Sequence, residues 1–181
     1  MNQRDRARDV LHAAFPHVES DDPVGFFAEE GDVMEALQYA YLYWPNLFEL
    51  HGAVFLGLQG DDERETADRL STPVADGQPG WAPMSWTEMV DSYNVFEVEQ
   101  LFRRWRGPAE VSEDAHRVLG EFLVQMWSAR LAAAYPSREF DVRLIEADED
   151  MDLRVQVTQR RPYLVEPAGW DGCRRGVIGG V

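Results

Sequence analysis

Residues 138 to 158 read Arg138-Glu-Phe-Asp-Val-Arg-Leu-Ile-Glu-Ala-Asp-Glu-Asp-Met-Asp-Leu-Arg-Val-Gln-Val-Thr158, and along them the apolar period is two. Phe140, Val142 and Leu144 alternate with Asp141 and Arg143, while Leu153, Val155 and Val157 alternate with Arg154, Gln156 and Thr158. Successive side chains of a strand point to opposite faces, so the stretch predicts a β-hairpin with one face buried, its tip at the run Ala147 to Asp150. A lone hairpin is marginal in water and needs a further strand or a packed helix. The apolar run Leu50 to Leu58 is too short for an ordinary helix and meets a turn at Gly60-Asp61-Asp62, so it predicts a buried strand and a natural partner. Tyr163-Leu-Val165 offers a short fourth strand.

Elsewhere the period is that of a helix. Ala7, Val10, Leu11 and Ala14 predict a helix over 4–15 that Pro16 stops, with early arginines opposing the macrodipole so that its first turn frays. Asp22-Pro23 opens a short helix toward Gly31. Asp32 and Glu35 have capping-box spacing ahead of Met34, Leu37, Tyr41 and Trp44, which predict the buried face of a helix ending at Pro45. Asp62 with Glu65, Ser85 with Glu88 and Asn94 with Glu97 repeat that spacing. The helix after Asn94 is expected to bury Val95, Val98, Leu101, Phe102 and Trp105. Ser112 caps the longest predicted helix, which runs to about Tyr135. Residues 73–83 read as a loop. The whole is one α+β domain over 1–165: five to seven helices packed on a small, mostly antiparallel sheet that includes the C-terminal hairpin. A tail follows over 166–181, where five of 16 residues are Gly, and it is expected to be loosely held.

The chain carries 33 acidic and 17 basic residues, a net charge of −16, and 45% of its residues are apolar. That much apolar surface separates it from disordered chains. Every basic residue is Arg, the usage of a GC-rich genome. The acidity is uneven: Pro16 to Phe102 holds 18 acids against Arg64 and Arg69, and so accounts for the whole excess. A field with a direction is suited to steering a cationic partner and opposes binding to nucleic acid, where phosphate must meet clustered Lys and Arg. The longest apolar runs fall short of the roughly 20 residues of a membrane span, no secretory signal opens the chain, and a lone Cys173 builds neither a disulfide framework nor a cysteine zinc site. A cytoplasmic location is the expectation.

Catalytic signatures are missing. Neither the nucleophile elbow Gly-x-Ser-x-Gly nor a phosphate-binding glycine loop occurs. Ser85, Asn94 and Ser112 are accounted for as helix caps. Glu113-x-x-His116 has di-iron spacing without its second pair, and Asp148, Asp150 and Asp152 resemble half a calcium loop, with Leu153 and Gln159 where Gly and Glu belong. No metal or cofactor is implied. Glu49 and His51 should project to the same side of a strand, an acid/base pair or a structural histidine. Tyr39, Tyr43 and Trp44 crowd one helix end, with Tyr39 and Tyr43 off the main stripe and thus candidates for an exposed binding face. Arg103 and Arg104, in Phe102-Arg-Arg-Trp-Arg106, could grip an anion.

Three readings follow. The leading one is a non-enzymatic interaction module, of the general class of small acidic immunity proteins, antitoxins or regulators, whose acidic half meets a basic protein. The second is a small-molecule binder or enzyme with an aromatic pocket at Tyr39, Tyr43 and Trp44 and an arginine anchor at Arg103 or Arg104. The third is a nucleic-acid mimic. Oligomeric state is open.

Overall fold

The computed structural model describes residues 2–58, 62–71, 83–102, 107–170 and 172. Among them are seven α-helices and two antiparallel sheets, of two and three strands, which is the expected α+β class. The loop expected over 73–83 lies outside the described residues except for Pro83, as do Arg103, Arg104, Trp105 and most of the tail.

The predicted hairpin is β4 (Glu139–Ile145) and β5 (Arg154–Arg161). Val142 stands opposite Val157 and Leu144 opposite Val155, so the apolar alternation makes one inner face. Its third strand is β3 (Val95–Glu97), giving the order β3-β5-β4. This corrects the helix expected after Asn94. The free edge of β5 takes three residues of backbone pairing, Phe96 enters the core, and among the described residues of that span only the four-residue α6 (Val98–Leu101) is helical. Tyr163 and Val165 form no strand and stay exposed.

Across that sheet lies α7 (Ser112–Ala134), whose 23 residues make a rod of roughly 35 Å. Val111 rather than Ser112 takes its N-cap position, after a 3₁₀ turn at Ala109–Val111. Val118, Leu123, Trp127 and Leu131 form the buried ridge. Gly120 allows the close approach, since a Cβ there would stand 2.5 Å from Cδ1 of Leu144. On α7 lies α1 (Gln3–Ala14), joined by Arg6 to Glu121. Its first turn does not stand open as expected: Asn2 and Asp5 close it as a capping box.

Residues 47–58 overturn the single strand expected there. They form a hairpin of β1 (Leu47–Leu50) and β2 (Ala53–Leu56). Its turn is His51-Gly52, with φ of 48° and 78°, the two left-handed residues that match the twist of a tight hairpin. All four residues of β2 are buried. Val54 and Leu56 join the core of Phe96, Trp127, Leu131, Val155 and Val157, whereas Ala53 and Phe55 join a second core with Leu70, Trp86, Val90 and Tyr93. Leu70 belongs to α4 (Glu63–Ser71), capped by Asp62, and the others to α5 (Trp86–Tyr93), capped by Ser85. Trp170 closes the second core: its ring meets that of Trp86 at 5.2 Å and its Nε1 donates to the Met84 carbonyl.

A strand buried on both faces must still satisfy the edge its partner does not cover. The expected backbone pairing of this strand with the C-terminal hairpin does not form. Two buried amide side chains take its place. Asn94, 1% exposed, accepts from the Leu56 N–H (3.0 Å) and donates to the Val54 carbonyl (2.8 Å). Gln159, 5% exposed, accepts from the Val54 N–H (3.2 Å) and donates to the carbonyls of Gly52 and Pro162 (both 3.1 Å). Asn94 therefore caps a strand with its side chain rather than the helix expected from its spacing to Glu97. Replacing Asn94 with Leu leaves one donor and one acceptor of β2 buried without partners, at about 1–3 kcal/mol each. Urea denaturation of Asn94→Leu is expected to show a loss of about 2–6 kcal/mol; a loss below about 0.5 kcal/mol would mean that the amide is dispensable.

Candidate interaction surface

Helix α3 (Val33–Tyr43) sits on the fold by its less obvious face. Leu42 is buried, its carbonyl accepts from Trp127 Nε1 at 2.7 Å, and Tyr39 and Tyr43 are half-buried beside it. The stripe expected to be buried, Met34, Leu37, Tyr41 and Trp44, faces water instead; Leu37 is 57% and Tyr41 71% exposed. The helix is apolar nearly all round, so periodicity offered two candidate inner faces, and the hydrogen bond at Leu42 with the Tyr39 and Tyr43 rings marks the one used. The preceding helix α2 (Pro23–Glu29) repeats the arrangement on a smaller scale, with Phe26 buried and Val24 and Phe27 in solvent. Of the ten markedly exposed large apolar side chains among the described residues, seven fall between Val24 and Trp44. Burying one such side chain is worth about 1.5–3 kcal/mol, so their concentration in 21 residues is a substantial unsatisfied tendency to be covered.

The local sequence carries formal charge of one sign. Residues 16–44 hold seven carboxylates and neither Arg nor Lys. Asp22 and Asp32 are turned onto backbone N–H groups at the starts of α2 and α3, where the helix dipole favours negative charge. Asp21 meets His12 and Glu30 meets His17. Arginines of the later part pair largely within it: Arg117 with Glu146, Arg143 and Arg160 with Asp141, Arg154 with Asp148, Arg161 with Glu139. Arg138 does cross, to Glu49.

The residues singled out from sequence are only partly brought together. Tyr39 lies edge-on to Tyr43 and tilted against Phe102, at 6.3 and 5.7 Å between ring centres, and both tyrosines are half-buried. Burial, with Tyr39 adding to it, pushes the Tyr43 phenol above the ordinary tyrosine value. Trp44 is 48% exposed at the end of the apolar stripe, with the Arg130 guanidinium 5.2 Å over its ring. Arg103 and Arg104 lie outside the described residues. Glu49 and His51 do not pair: His51 is in the turn with its ring on Trp86, and Glu49 binds Arg138. Asp148 is occupied by the N–H groups of Asp150 and Met151 and by Arg154. Among the described residues no group of three or more His, Cys, Asp or Glu gathers as a metal site, and no helix is long and apolar enough to cross a membrane. No protein-family model, curated protein or solved structure matches the chain.

A second polar feature lies on the solvent face of the hairpin, a shallow cleft of about 70 Å³ lined by Asp141, Arg143, Gln156, Thr158 and Arg160. Arg143 and Arg160 hold the Asp141 carboxyl below its ordinary range. Desolvation lifts the nearby Asp91 above its own, against the opposing pull of Thr158 and Arg160.

Two tests follow from this geometry. Leu37→Ala is expected to change unfolding free energy by less than about 0.5 kcal/mol, as an exposed site does, and Leu42→Ala to cost about 2–4 kcal/mol; the reverse order in urea denaturation would return the Leu37 stripe to the core. For Asp91, whose proton is held more tightly in the fold than in the unfolded chain, stability falls as pH rises from 3.8 through the raised folded value. Asp91→Asn is accordingly expected to gain stability at neutral pH, with the gain vanishing below pH 3.8. Asp141→Asn is expected to lose stability at neutral pH, the loss shrinking as pH falls below 3.8. Parallel urea curves across pH check both.

Proposed function

We propose that this protein is a non-enzymatic interaction module, of an immunity-like or regulatory kind, whose acidic half engages a basic protein. The observation that carries the reading is the coincidence of seven exposed large apolar side chains with a stretch, residues 16–44, whose sequence holds seven carboxylates and neither Arg nor Lys. Apolar anchors supply affinity at the centre of an interface, while one-signed charge around them raises the association rate and rejects partners of the same sign. The rival pocket at Tyr39 and Tyr43 is weakened by the rings closing on one another and on Phe102.

The test is a pull-down with the full chain, read by the charge and salt response of what it retains. Retained proteins are expected to be basic and to be released as salt rises from about 0.1 M to about 0.5 M, where the Debye length shortens from roughly 10 Å to a few ångströms. Retention that is indifferent to salt, or of acidic proteins, contradicts the proposal. A thermal-shift screen of metabolites is expected to leave Tm unchanged; a metabolite that raises it by several degrees favours the ligand-binding alternative.

A further inference from the structure

We infer that the outward stripe of α3 is a seat for one α-helix of a partner, an amphipathic helix with an apolar ridge and arginine or lysine flanks. The inference rests on the reading of the acidic half as an interaction surface and adds what lies on it. Met34, Leu37, Tyr41 and Trp44 stand at i, i+3, i+7 and i+10, a nearly straight exposed row along α3 and the first residue beyond it. Anchors at that spacing form a ridge that packs along another helix, the pattern by which helix faces are recognised. The row extends roughly 15 Å, the length of about three turns.

Charge decides the kind of helix. The row belongs to a stretch with Glu19, Asp21, Asp22, Glu29, Glu30 and Asp32 and with no Arg or Lys of its own, and Arg130 of α7 meets it at one end, over the Trp44 ring. A second copy of this chain laid on the same face would set carboxylates against carboxylates across a dyad, since a two-fold contact repeats one patch on both sides. A cationic helix meets those acids as opposite charges while its apolar ridge covers the row.

The experiment measures anisotropy of a labelled cationic amphipathic peptide of about 18 residues, Leu on one face and Arg on the other, titrated with the full chain. Two controls are a scrambled peptide of the same composition, which lacks the ridge, and a Glu-for-Arg version. The amphipathic cationic peptide is expected to bind at least about tenfold more tightly than either control. Leu37→Ala is expected to weaken it by about tenfold, and Leu37→Asp by more, even though that change adds negative charge. Glu29→Arg is expected to weaken it too. Circular dichroism of the variants, all at exposed positions, verifies that the fold is kept. If Leu37→Asp binds as well or better, or the scrambled peptide binds equally, attraction is only electrostatic: the helix seat is refuted and the acidic-module reading stands. If no cationic peptide binds at low salt, both are refuted. Concentration-dependent self-association of the free chain, abolished by Leu37→Asp, would assign the face to a second copy and overturn the inference.

Discussion

The hydrogen bonds that Asn94 and Gln159 make to the edge of β2 are the constraint on which the architecture depends. β2 is the seam of the molecule, its alternate side chains feeding two separate cores, and such a strand has no water to satisfy its open edge. A continuous sheet would have answered with a neighbouring strand. Here the neighbour is a pair of carboxamides, each able to donate and accept as a peptide group does. Asn94 comes from the end of α5 and Gln159 from β5, so the same four atoms that satisfy β2 also fix the small hairpin against the three-stranded sheet. Leaving either amide out would orphan buried polar groups, and a partly satisfied network is worse than none.

From that seam the proposed interaction surface is set at one remove. β2 and the sheet hold Trp127, and the indole of Trp127 holds the Leu42 carbonyl near the end of α3. With Leu42 as anchor and Tyr39 and Tyr43 folded inward against Phe102, the remaining apolar row of α3 has nowhere to go but outward. The chain thus carries an outward apolar row in its acidic half, while many arginines of the C-terminal part are tied to carboxylates near them. The outward setting of that row follows from how α3 is attached.

Much of this was legible in the sequence where one signal acted alone. The alternation in 140–158 gave the hairpin and its inner face, because period two has no helical alternative. Asp22, Asp32, Asp62 and Ser85 announced their helices through side-chain oxygens that do cap backbone N–H groups. Legibility failed where two signals competed. His51 is an uncommon residue for a left-handed turn position, so Leu50 to Leu58 looked continuous. Asn94 has cap spacing to Glu97, yet tertiary demand from β2 claims its amide, and the open edge of β5 draws Val95–Glu97 out of a helical pattern. On α3 both faces are apolar, and the choice between them depends on Trp127, 85 residues away, which no local pattern contains. The charge asymmetry could be counted from sequence; that it coincides with uncovered apolar side chains could not.

The most direct test of the central claim is native-state hydrogen exchange at the Val54 and Leu56 amides, the two N–H groups of β2 that point away from β1. If Gln159 and Asn94 hold them as described, both exchange only through global unfolding, as slowly as the Val155 and Val157 amides at the centre of the sheet. Exchange at those two positions as fast as in an exposed loop, with Val155 and Val157 still protected, would contradict the account.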